Sequence, residues 1–170
     1  MLPKNYLAFK WIVYAIASFF FCILQSAVLG NIRVLGLTPF LYPMLPAAAA
    51  MFEGPKQGGI FAMCFGLLCD LLLPAPFPGF FTIAFPLGAI LAGVIAERVM
   101  SRGFGCALVV SALGLLVTCA MRLFVQILLG GQYLVLMARI SLGETLLTLP
   151  AVVAVLPVYR TIAKRCAADY

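Results

Sequence analysis

The chain has 170 residues, of which 65% are hydrophobic and 9% charged, with 11 Lys and Arg against 5 Asp and Glu and no histidine. A soluble domain carries about a quarter charged residues, so this composition excludes one and predicts an all-α, polytopic membrane protein. The net charge of +6 has no basic domain to concentrate it; it argues against a nucleic-acid partner and for a basic face beside anionic membrane lipid.

Six uncharged or nearly uncharged runs of about the spanning length follow one another at residues 11–30, 36–52, 57–73, 80–96, 104–129 and 142–159, all in one domain of residues 1–170. Lys4 and Lys10 precede the first run, which is longer than a signal-peptide core and ends in a poor cleavage site, Gln25-Ser26-Ala27; it reads as a retained anchor. The second run has Pro39, Pro43 and Pro46 at i, i+4 and i+7. Three missing donors on one face predict a kink or break, and the freed carbonyls then need partners inside the protein. The third, QGGIFAMCFGLLCDLLL, sets Gly59, Met63, Gly66 and Asp70 at i, i+4, i+7 and i+11 on one helical stripe, suited to close helix contact. An uncharged, stiff connection follows, Pro74-Ala75-Pro76-Phe77-Pro78-Gly79. Its Pro76, Phe77 and Pro78 are candidates either to dip into the interface or to meet another protein. Small residues recur in the fourth run as Gly88, Ala92 and Ala96, and the sixth carries Pro150 and Pro157.

Threading six transmembrane helices puts Lys4, Lys10, Lys56, Arg98, Arg102, Arg160, Lys164 and Arg165 on the side of the N-terminus, against Arg33 and Arg139 on the other. Basic residues in short loops stay inside, so N- and C-termini are both expected in the cytoplasm. With a rise of about 1.5 Å per residue, Asp70 lies about 20 Å and Arg122 about 27 Å across a core of about 30 Å. Glu144, Gln25, Gln126 and Gln132 fall at comparable depth or just beyond. A carboxylate there needs a partner. Arg122 is the expected one, or failing that Arg139; the alternative is an Arg122 that snorkels outward along Gln126 beside a protonated Asp70.

Six cysteines, at 22, 64, 69, 106, 119 and 166, form no CxxC pair, and without histidine a zinc or haem site has little to work with. They read as small buried hydrophobes, with Cys166 reduced in the cytoplasmic tail, and no cofactor or metal is expected. The five acids, Glu53, Asp70, Glu97, Glu144 and Asp169, sit at different depths, too scattered for a metal-dependent lipid enzyme or an aspartyl dyad. Binding or scaffolding is expected, not catalysis.

The run Gly58-Gly59, Phe65-Gly66-Leu67-Leu68 and Asp70, followed by a glycine-bearing hairpin and an apolar fourth span, resembles the MreD family, a small integral membrane component of the bacterial rod-shape machinery. Length, six spans and the basic end Pro157-Val158-Tyr159-Arg160 fit the same family, whereas the six cysteines and the Pro-Ala-Pro-Phe-Pro insertion depart from it. The resemblance implies a multi-pass scaffold in the bacterial plasma membrane that serves cell elongation and peptidoglycan synthesis. It would bind MreC and sit with MreB, RodA and its transpeptidase. Gly59, Gly66 and Asp70 would then maintain the bundle interior. The alternative is the substrate-binding S component of an energy-coupling-factor vitamin transporter, whose outward ligand site would suit Asp70, Arg122 and Gln126. The alanine-x-x-x-alanine docking pattern expected there on the first span is missing.

Overall fold

A computed structural model describes residues 4–31, 36–98, 103–130 and 134–168. Arg33, Arg102, Gln132 and Asp169 lie outside the described residues, as do the side chains of Lys4, Arg165 and Cys166. In chain order the helices are α1 (Lys4–Ala27), α2 (Met44–Glu53), α3 (Pro55–Leu72), α4 (Phe80–Arg98), α5 (Phe104–Leu128), α6 (Leu134–Thr148) and α7 (Val152–Ala168), with short 3-10 turns at Leu29–Asn31 and Leu149–Ala151. No β-strand occurs among the described residues. Four helical stretches, Phe9–Asn31, Phe80–Arg98, Phe104–Leu128 and Val135–Lys164, are long and apolar enough to cross a membrane. The chain is thus an all-α, membrane-embedded protein.

Expected and observed boundaries agree best where glycine or proline punctuates the sequence. α3 begins with Pro55 at its first position after Gly54, whose φ of 89° suits glycine. Gly79, at φ 87°, precedes α4, and Gly103 caps α5. The break expected in the second run is found, and the bounds of the sixth run need correction. The run 36–52 is not one spanning helix: residues 38–41 are non-helical, Pro43 is the N-cap, and only Met44–Glu53 is helical. Proline drives the residue before it toward extended backbone, while Pro46, in the first turn, lacks only a donor the helix end would leave unpaired. The sixth run starts eight residues earlier than 142, at Leu134, and breaks at Leu149–Ala151 where Pro150 cannot donate.

The broken second run becomes the hub. Met44 through Met51 are buried without interruption, and α2 is packed by α3, α4, α5 and α7. A helix apolar all round belongs inside, and its Ala47–Ala50 segment lets neighbours come close. A side chain on Gly58 of α3 would overlap Ala50, and one on Gly114 of α5 would come within 2.9 Å of the Pro43 carbonyl oxygen. α4 meets α5 where Gly88 faces Gly114, so the small residues of the fourth run, Gly88, Ala92 and Ala96, are buried as helix contacts.

The stripe on α3 is shifted from the expected one. Its buried residues are Gly58, Gly59, Ala62, Phe65, Gly66 and Cys69, while Met63 is 50% exposed and Asp70 sits at the edge. Aromatic rings continue this face, with Trp11 stacked on Phe61, Phe61 on Phe65 and Phe65 on Phe85. α1 keeps one face open. Phe9, Ile12, Ile16, Phe19, Phe20 and Ile23 point outward from it.

Candidate functional site

Polar side chains gather at the two ends of the bundle. At the end that contains Lys10, the Glu53 carboxylate closing α2 pairs with the Lys10 ammonium and accepts the Tyr14 hydroxyl at 3.0 Å. Further along α1, Ser18 donates to the Tyr14 carbonyl at 2.8 Å, so its single proton is spent and the Tyr159 hydroxyl donates to it, at 2.6 Å. These contacts tie α1 to α2 and α7.

Asp70 occupies the opposite end and has found a different partner from the one expected. Its carboxylate accepts the backbone N–H groups of Phe81 at 3.0 Å and Thr82 at 2.8 Å, and the Thr82 hydroxyl at 2.6 Å. Phe81 and Thr82 lie in the first turn of α4, where N–H groups have no acceptor within the helix and the helix dipole is positive. Asp70 is therefore an N-cap delivered from the preceding helix, across the Pro74–Gly79 hairpin. Gly66, one turn earlier, permits it: a Cβ there would lie 2.5 Å from the Phe81 carbonyl oxygen. The expected Asp70–Arg122 pair is corrected by this geometry, because among the described residues every hydrogen bond to the Asp70 carboxylate comes from the α4 N-terminus. Arg139, exposed on α6, makes no ion pair among the described residues.

Arg122 instead faces Glu144, Nη1 to Oε2 at 3.8 Å, with its guanidinium carbon 4.5 Å from the centroid of the Phe40 ring. Phe40 belongs to the non-helical segment before α2, and that segment is held by side chains. Gln25 donates to the Pro39 carbonyl and accepts from the Leu41 N–H at 3.3 Å. The Thr148 hydroxyl accepts the Phe40 N–H at 2.8 Å and donates to the Glu144 carbonyl at 2.6 Å. The partners demanded by the proline break are thereby supplied by α1 and α6.

An open cleft of about 450 Å³ lies against this pair, lined by Pro74, Pro76, Arg122, Gln126, Ser141 and Glu144 among others. The structure thus brings Arg122, Gln126, Glu144 and Pro76 together and leaves Asp70, Gly59 and Gly66 in the α3–α4 seam. Phe77 turns inward, edge-on to Phe80 at 5.7 Å, while Pro78 is exposed. Among the described residues no three His, Cys, Asp or Glu side chains converge as a metal site would require. Thr82, Thr148 and Ser18 went unnoticed in the sequence because a lone hydroxyl in an apolar run is a weak signal, and Tyr159 stood out only as part of the basic end. No protein-family model, curated protein or solved structure matches the chain.

Proposed function

We propose that this protein is a non-catalytic scaffold of the MreD type: six transmembrane spans, both termini cytoplasmic, in the bacterial plasma membrane, holding MreC within the cell-elongation complex. The observation that carries the reading is the use made of the third-span run. Gly58 takes Ala50 of α2, Gly59 takes Ile90, Gly66 takes the Phe81 backbone, and Asp70 caps α4. The glycines and the acid of that run are spent on locking neighbouring helices, while Leu67 and Leu68 face outward; that is what a scaffold asks of its few polar and small residues. Lys10 and Glu53 meet at one end of the bundle and Asp70 and Thr82 at the other, so α3 runs from one end to the other.

Coexpression with a tagged MreC tests the reading. The expected result is stoichiometric copurification from detergent extracts and loss of rod shape when the chain is depleted. Recovery without MreC, with cell shape unchanged, would sink it. The cleft beside Arg122 favours a second reading, the transporter S component, for which a tightly retained vitamin would be the decisive result.

A further inference from the structure

We propose that the cleft between α5, α6 and the Pro74–Pro76 arm binds a zwitterion, a group with an ammonium and an anionic oxygen a few ångströms apart, as in the headgroup of phosphatidylethanolamine. It rests on neither reading above. The volume of about 450 Å³ falls within the range of about 300–1,000 Å³ typical of small-ligand sites. The walls formed by Leu123, Met137 and Ile140 are apolar, and the polar groups are concentrated at Arg122, Gln126, Ser141 and Glu144.

The ion pair is the decisive feature. At 3.8 Å the Arg122–Glu144 contact is nearly an ångström longer than the roughly 2.7–2.9 Å of a charge-assisted hydrogen bond. The Glu144 carboxylate has no other partner among the described residues, and the remaining contact of the guanidinium is the Phe40 ring. Both side chains keep some exposure, 31% and 21%. Each charge therefore retains hydrogen-bonding capacity toward the cleft, and beside hydrocarbon that capacity is costly to leave unused. A lone anion would be repelled by Glu144 and a lone cation by Arg122. A ligand carrying both charges satisfies both, with its anionic oxygen on Arg122 and its ammonium on Glu144.

Position favours the membrane as the source. Arg122 is 18 residues past Phe104, about 27 Å along the helix and close to the edge of a hydrocarbon core of about 30 Å, where headgroups reside. A free zwitterion has the same chemistry, and the experiment separates the two. The full chain, purified in detergent, is offered equal phosphatidylethanolamine and phosphatidylglycerol of matched acyl chains, and the retained lipid is read by native mass spectrometry. Phosphoethanolamine alone is tested by its effect on thermal unfolding.

The wild-type chain is expected to retain phosphatidylethanolamine about tenfold over phosphatidylglycerol, the worth of one charge-assisted hydrogen bond. Glu144→Gln, nearly isosteric, should bring that ratio close to one without changing the unfolding temperature. Stabilisation by phosphoethanolamine would assign the site to free zwitterions as well, and retention of the diacyl lipid alone would assign it to the bilayer. A wild-type chain with no preference, or a preference for phosphatidylglycerol, overturns the site without any variant. So does a preference that survives Glu144→Gln.

Discussion

Two carboxylates sit at the same end of this bundle and live differently. Asp70 receives three hydrogen bonds of 3.0 Å or less, two from backbone and one from Thr82. Glu144 has one cation at 3.8 Å and opens onto a cleft. The first is closed on itself and fixes an angle between two helices; the second holds a charge in place with its bonding unfinished. A charged residue in an apolar chain is thus informative about function only after its donors have been counted.

The largest effect expected from breaking that contrast comes from Asp70→Ala. It leaves the Phe81 and Thr82 N–H groups unpaired against apolar surroundings and should lower stability by about 3 kcal/mol, measured by denaturant titration in micelles. Asp70→Asn, which keeps an acceptor, should recover part of the loss. Gly66→Leu attacks the same seam sterically, with an expected cost of about 2–3 kcal/mol as α4 is pushed off α3. Thr82→Val removes only the hydroxyl donor, and about 1 kcal/mol should go with it. Glu144→Gln should change stability by less than about 0.5 kcal/mol, as for a loose, partly solvated pair. If it cost as much as Asp70→Ala, the two carboxylates would not differ in the way described. Smallest of all is the coupling between Asp70→Asn and Arg122→Lys. The two residues share no partner, so the effects should add within about 0.5 kcal/mol in a double-mutant cycle.

Much of the helix layout was legible because its punctuation is local. Gly54-Pro55, Gly79 and Gly103 mark helix starts, and a reader needs only conformational preference to find them. The crowding of Pro39, Pro43 and Pro46 announced a break in the second run. It did not reveal that the surviving ten-residue helix would be the centre of the molecule, since that depends on four other helices closing round it. Asp70 was conspicuous as an acid in an apolar run, yet its partner was misjudged. Charges invite pairing with opposite charges, whereas the donors that satisfy it are backbone N–H groups, invisible in a sequence of side chains. The depth argument brought Arg122, Gln126 and Glu144 to one level, and the structure keeps them together. Which acid would face Arg122 depended on helix rotation, which depth along a helix axis cannot supply.

The hydroxyl contact between Ser18 and Tyr159 spans 141 residues, joining α1 to α7. While the chain is being synthesised, α1 has neither that contact nor the Lys10–Glu53 pair, and its Phe- and Ile-rich face can dwell in lipid or beside an insertion factor. Tyr159 is made 141 residues after Ser18, and only then can α7 hold α1. A nascent chain truncated before this residue would carry an α1 that has entered the membrane but has not yet been latched to α7.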